Sequence, residues 1–263
     1  MSFTQELPKH LSPSRLSDFQ SCPRKYQYAS VERIPQPASY ASAKGTFVHF
    51  VLEHLFLLAP AERTIDKARA FVPDAEVEVL SEKVRSEIGL DEVMLEKLRN
   101  ETENILSTYF AMEDPRTITS EGIELPIRVE VDGAPVFGIL DRLDRDPDGS
   151  LVIVDYKTGG LPNRNYDSQT FANTELYAAL CKAELGEVPK KIRLLYIAKG
   201  EAIERSVSDV VLTARGKAAA TAWQKITTYY EQGDFPATPS ANACRFCAFK
   251  DTCKASGVAV VSR

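Results

Sequence analysis

No apolar run in the sequence is longer than the six residues Leu176–Cys181, and the run Leu55–Ala59 is shorter still, far short of the roughly 20 needed to cross a bilayer. The first 15 residues, MSFTQELPKHLSPSR, lack the apolar core of a secretory signal. A soluble cytoplasmic protein without a membrane partner is therefore expected. There is no internal repeat or low-complexity tract, so a repeat architecture is excluded. No G-x-x-x-x-G-K-[ST] phosphate loop is present, so any ATP-driven motor would have to be a separate protein. Positive charge is not in surplus either. Lys and Arg number 32 against 37 Asp and Glu, for a net charge of −5, which argues against a general nucleic-acid coat protein.

What is present suits a folded protein: 263 residues, 44% hydrophobic and 26% charged. That length buries enough surface to need no disulfide staple. The five cysteines are expected as thiols or metal ligands. Charge is unevenly spread. Lys9, Arg15, Arg24, Lys25, Arg33 and Lys44 outnumber the acids of residues 1–50, and Arg245, Lys250, Lys254 and Arg263 face only Asp251 in residues 241–263. The segment 61–115 is acidic by about two to one.

Ser12 and Ser14 are N-cap candidates for a helix through Leu16 and Phe19, with Pro23 marking a break. Residues 28–42, with Pro35 and Pro37, read as a loop. Phe47, Phe50, Val51, His54 and Leu58 predict a helix over 45–58, stopped by Pro60. Val93, Leu95, Leu98, Ile105 and Phe110 give the stripe of a second helix over 91–112. Beyond Pro115 the pattern becomes that of strands. Residues 118–131 alternate, Asp132-Gly133 turns the chain into 136–143, and Asp146–Gly149 turns it into the β-branched run 151–154. That run suits a central strand covered on both faces. A helix over 168–185, strands over 192–198 and 202–207, and a closing helix over 212–232 complete an α/β core in a helical setting.

Two aspartates end apolar runs on these strands. Asp141 follows Val136–Leu140 and Asp155 follows Leu151–Val154. If the intervening loop is Asp146–Ser150, Arg145 pairs with Leu151 and Asp141 lies opposite Asp155, with Cβ atoms roughly 4.5–5.5 Å apart. Like charges that close call for a divalent cation, and hard oxygen ligands suit Mg²⁺ or Mn²⁺. Lys157 shares a strand face with Asp155. Its ammonium is suited to activating water or stabilising charge on a phosphate. Near the carboxyl end, Cys244, Cys247 and Cys253 form C-x2-C-x5-C, for which Cys22 is the leading fourth ligand; Cys181 reads as a buried free thiol. Spacing alone leaves Zn²⁺ and an iron–sulfur cluster both open.

Gly138-x-x-Asp141-Arg142, followed by Val154-Asp155-Tyr156-Lys157-Thr158-Gly159, resembles the PD-(D/E)XK nuclease superfamily in its RecB-like exonuclease branch. Gly45-Thr46-x-x-His49-x-x-x-Glu53 is similar to that branch's upstream helix, whose histidine helps hold the metal. The resemblance implies His49, Asp141, Asp155 and the Tyr156 carbonyl as ligands, with Glu124 a lesser candidate. It also implies Asn173 and Tyr177 as strand-positioning residues where the family has Gln-x-x-x-Tyr. Asparagine shortens that reach by one methylene.

The lead-in Leu16, Phe19, Cys22, Pro23, Tyr26 resembles members carrying a [4Fe–4S] cluster, such as AddB and the CRISPR adaptation exonucleases. It implies Cys22, Cys244, Cys247 and Cys253 as cluster ligands, stapling the chain ends and bringing Arg24, Lys25 and Arg245 together to hold phosphates. The implied fold is a single restriction-endonuclease-like domain over 1–263, with a mixed central sheet flanked by helices. Its parts are 1–40 (first cysteine and lead helix), 41–115 (helical), 116–208 (catalytic sheet and helix), 209–240 (closing helix) and 241–263 (cluster tail). The implied function is Mg²⁺- or Mn²⁺-dependent exonucleolytic cleavage of DNA, on single strands or ends, in repair or recombination. The alternative is a non-catalytic DNA- or partner-binding module of a helicase–nuclease or CRISPR adaptation complex.

Overall fold

Ser12 starts the first helix as its composition requires. Its hydroxyl accepts the Arg15 N–H at 3.2 Å, and Pro13 occupies the first helical position, where no N–H is needed. In the computed structural model, which describes residues 3–162 and 170–256, this helix is α1 (Pro13–Ser21). Packing divides the chain into two units. One comprises the chain up to Gln36, Arg128–Gly138 and the chain from Asp209 on; the other comprises Pro37–Ile127 and Ile139–Ser208.

In the first unit, α1 leads through Cys22 into α2 (Pro23–Tyr26) and a π-helical turn, Gln27–Val31. The rings of Phe19, Tyr26, Tyr229 and Phe235 form an aromatic core, with centroids 5.7–6.2 Å apart.

The second unit begins with α3 (Tyr40–Leu57), α4 (Ile65–Ala70), α5 (Val72–Glu78), α6 (Glu82–Ile88) and α7 (Glu92–Met112). Helix α3 starts earlier than its apolar spacing predicted, because Ser39 and Ser42 form a reciprocal capping box at its head. The predicted loop over 28–42 is thus helical at both ends. Val93, expected on the apolar stripe of α7, is exposed; Leu95, Leu98, Ile105, Leu106 and Tyr109 carry the buried face instead.

Strands β1 (Thr119–Val131), β2 (Ala134–Arg145), β3 (Leu151–Tyr156), β4 (Lys191–Tyr196) and β5 (Glu201–Ser206) form one sheet in that order. Asp132 and Gly133, at φ 49° and 85°, make the turn between β1 and β2 that needs two left-handed residues. Strands β2 and β3 are antiparallel, β3 and β4 parallel, and β4 and β5 antiparallel, giving the expected mixed sheet flanked by helices. The parallel step is bridged by α8 (Ala172–Leu185), ended by the left-handed Gly186. Ser168, the start predicted for this helix, lies outside the described residues. In β3, Val152, Ile153 and Val154 are all buried, as a central strand requires. The chain from Asp209 on contributes α9 (Asp209–Gln232) and α10 (Ala241–Arg245) to the first unit.

Candidate metal centre

The β2–β3 hairpin fixes the register on which the site depends. Its pairs run from Arg145↔Leu151 to Arg142↔Val154, and at the end of this ladder Asp155 lies near enough to act on the Asp141 carboxyl. The Tyr156 N–H donates to Asp141 Oδ2 at 2.8 Å, tying the carboxylate to the end of β3. His49 arrives from the middle of α3, its Nε2 3.1 Å from the Tyr156 carbonyl and its Nδ1 3.6 Å from Asp141 Oδ2.

Glu124 completes the group. Its backbone sits at φ 42°, in the left-handed region that a non-glycine residue occupies only under constraint, within an otherwise extended β1. Ligand atoms of His49, Glu124 and Asp141 all lie within 4.8 Å of one another. Among the described residues this is the one set of three or more acidic, histidine or cysteine groups so gathered. Glu53, one turn beyond His49 on α3, lines the same cleft.

The electrostatics show a site short of positive charge. Burial first, then the negative charges of Asp141 and Glu53, pushes the Glu124 carboxyl up to about 7 against the pull of His49. Burial and Asp155 push Asp141 up to about 6, against His49, the Tyr156 N–H and Lys157. Lys157 ion-pairs with Asp155. Burial alone would lower its pKa, but Asp155 and Asp141 raise it above the usual lysine value. The Lys157 N–H donates to the Leu195 carbonyl at 2.8 Å, anchoring the segment that follows β3.

Tyr177, half-buried on α8, has its phenol pushed well up by burial and by Asp155 and Asp141, against a backbone hydrogen bond from Ile139. Asn173 lies exposed one turn earlier. Asp155, predicted as a ligand, is thus engaged by Lys157, whereas Glu124, only a lesser candidate in the sequence, sits with His49 and Asp141. Nothing in the sequence around Glu124 announces its left-handed backbone.

In the other unit, Cys22, Cys244, Cys247 and Cys253 line a single cavity together with Tyr28 and Thr238. No three of these thiols have sulfurs within 4.8 Å of one another. Burial disfavours the Cys22 thiolate. N–H groups of Thr238, Lys25 and Arg24 and the Thr238 hydroxyl outweigh that and hold the thiol below its usual value. Cys181 is buried and its thiol is pushed up to about 12, as an inert core cysteine should be. Of the cations predicted to hold phosphates, Arg24 pairs with Asp234 at 2.8 Å and Lys25 with Asp18 at 2.7 Å. Arg245 is exposed, its guanidinium 5.4 Å from the centre of the Phe246 ring.

The sequence model of the PD-(D/E)XK nuclease superfamily matches residues 10–254. One of the subunits of an ATP-dependent helicase/deoxyribonuclease from Streptococcus agalactiae, in serotypes Ia, V and III alike, is 27% identical over 174 residues. Each alignment covers 65% of this chain and 16% of the relative, so the chain matches about a sixth of those proteins' length. A solved structure described as "Crystal structure of SSO0001" aligns over 77% of this chain and 84% of its own, at 16% identity and a TM-score of 0.34.

Proposed function

The chain belongs to the PD-(D/E)XK nuclease superfamily, and on that premise we propose that it is a divalent-metal-dependent DNA exonuclease, acting on single-stranded ends in DNA repair or recombination. The observation that carries this is the gathering of His49, Glu124 and Asp141 within 4.8 Å, with both carboxyls pushed upward by burial and by neighbouring negative charge. A cation relieves that repulsion. Two carboxylates, an imidazole and the nearby Tyr156 carbonyl form a donor set that fits Mg²⁺ or Mn²⁺, with Asp155 as a further oxygen. A bound divalent ion supplies Lewis-acid polarisation of a phosphoryl oxygen and a more acidic water.

The remaining work falls to the chain. Lys157, held cationic beside Asp155, offsets negative charge developing on the phosphate and aligns the water. Tyr177, its phenol kept protonated, donates a hydrogen bond that holds the strand. Asn173, exposed on the same helix, meets the strand further out. The test is cleavage of an end-labelled single-stranded oligonucleotide. Wild type releases mononucleotides with Mg²⁺ or Mn²⁺ and none with EDTA, while Asp141→Asn stays inactive with either metal. Equal activity of wild type and Asp141→Asn would exclude the proposal.

The four cysteines are read as holding a [4Fe–4S] cluster. They line one cavity, and the Cys22 thiol is biased toward the thiolate that a cluster needs. Anaerobically purified protein is then brown and contains about four iron atoms per chain, and Cys22→Ser loses both. A colourless wild type containing one zinc would contradict the assignment. The name of the streptococcal relatives couples a helicase to a deoxyribonuclease, and a separate helicase is the partner we assign to this chain.

A further inference from the structure

The chain's charge is divided between its two units. By sequence, the unit that holds the four clustered cysteines carries 13 lysines and arginines against 9 aspartates and glutamates, whereas the unit of the candidate metal centre carries 19 against 28. A polyanion is attracted to the first and repelled by the second unless cations intervene.

Within the basic unit an open groove runs along α9 (Asp209–Gln232). One wall is a single face of that helix, on which Lys217, Thr221, Lys225 and Tyr229 follow at four-residue steps. The other wall includes Gln20, which adds an amide, while the Thr238 hydroxyl is already turned to the Ser21 carbonyl and Thr221 supplies the hydroxyl. No acidic residue lines the groove. Lys217 and Lys225 are exposed, and neither ammonium is ion-paired among the described residues, in contrast to Arg24 and Lys25. Eight residues of helix separate the two lysines by about 12 Å along its axis. Tyr229 closes the row, its ring packed against Phe19 and Phe235 with centroids 6.2 and 5.7 Å away.

Two free ammonium groups in line, hydroxyl and amide donors beside them, and a fixed aromatic ring are the elements with which proteins follow a single nucleic-acid strand. The cations and neutral donors take phosphates, and the ring offers a stacking face. We infer that this groove is a binding track for single-stranded DNA, with Lys217 and Lys225 contacting successive parts of the phosphate backbone. The inference rests on the nuclease reading, since it gives that substrate a place on the chain. It transfers phosphate recognition from Arg24 and Lys25, whose charges are already met, to the face of α9.

The test is fluorescence anisotropy of a labelled oligo(dT) 20-mer with the whole 263-residue chain as purified, in EDTA, across a salt series. Each phosphate contact on a single strand contributes about 0.7 to the slope of log affinity against log salt. K217Q/K225Q therefore has a slope shallower by about 1.4. Taking the two curves to meet at 1 M salt, its affinity falls about 25-fold at 0.1 M. K217R/K225R, which keeps both charges, binds as wild type does. An unchanged slope and affinity in K217Q/K225Q overturns the inference and leaves the groove to some other partner, such as an acidic protein surface. Binding is read without metal, so the two proposals fail separately. A wild type that binds with the steep slope yet never cleaves defeats the nuclease reading alone, and one that cleaves while the glutamine variant binds normally defeats only the groove.

Discussion

Lys157→Ala slows cleavage of an end-labelled oligonucleotide by about 100- to 1,000-fold, the scale expected when a preorganised charge is removed from the point where negative charge develops. The loss falls on kcat. Mn²⁺ affinity stays close to wild type, because Lys157 contributes no ligand atom and the group formed by His49, Glu124 and Asp141 is intact. The removed ammonium leaves Asp155 unpaired beside Asp141, so the metal binds at least as well as before. Lys157→Arg keeps the charge but spreads it over a larger planar head and recovers only part of the rate. Full activity in Lys157→Ala would remove the lysine from the mechanism.

The second large effect is on stability and comes from Arg142, the residue next to Asp141. Its side chain is 0% exposed, the largest of the fully buried side chains. The guanidinium reaches Glu113 at 3.0 Å, Asp144 at 2.9 Å and the Tyr109 hydroxyl at 3.1 Å, hydrogen-bonds the Tyr156 hydroxyl, and lies 4.4 Å from the centre of the Phe56 ring. Burial opposes its charge, but two tyrosines and two carboxylates overrule burial, and Arg142 stays cationic. Arg142→Met leaves Asp144 without its ion-pair partner and Glu113 with only Arg193, 3.8 Å away, in a low-dielectric surround, at a cost of about 3–5 kcal/mol. For a chain of this size that lowers the melting temperature by about 6–20 °C.

The triple variant Arg142→Met/Glu113→Gln/Asp144→Asn removes the stranded charges and recovers much of the loss. A triple no more stable than the single would show that packing, not charge, sets the cost. By contrast, the exposed pair Arg116–Asp114 at 2.9 Å is screened by solvent, and its loss changes stability little.

How far the sequence could be read depended on the kind of signal each residue carries. The β2–β3 register was legible because it needs only a turn position, and Asp146–Ser150 supplied the turn that pairs Arg145 with Leu151. The buried strand β3 was legible for a different reason, the unbroken β-branched run that a strand covered on both faces carries. Helices α4, α5 and α6 were not, since α4 and α5 bury only the small residues Ala68 and Ala75 and α6 buries no residue fully. Side-chain caps start α4 and α6, at Thr64 and Ser81, whereas α5 has none.

Glu124 was underweighted because its contribution depends on a left-handed kink that local sequence does not dictate. The role of Arg142 was hidden in a different way. An arginine and an aspartate two apart in an apolar strand share a face and announce a buried pair, but Glu113, Tyr109 and Phe56 are supplied by distant segments. Lys25 and Arg24 looked available on charge alone, and the partners that occupy them, Asp18 and Asp234, become visible only in three dimensions.

The gathering of a histidine and two carboxylates around one cation is tested most directly by calorimetric titration of the protein with Mn²⁺, comparing wild type with Asp141→Asn. The variant keeps an oxygen able to accept the Tyr156 N–H and loses the charge. Uptake of Mn²⁺ by the wild type that is abolished or weakened more than tenfold in a folded Asp141→Asn protein is the predicted result. Undiminished uptake by Asp141→Asn, or none by the wild type, would contradict it.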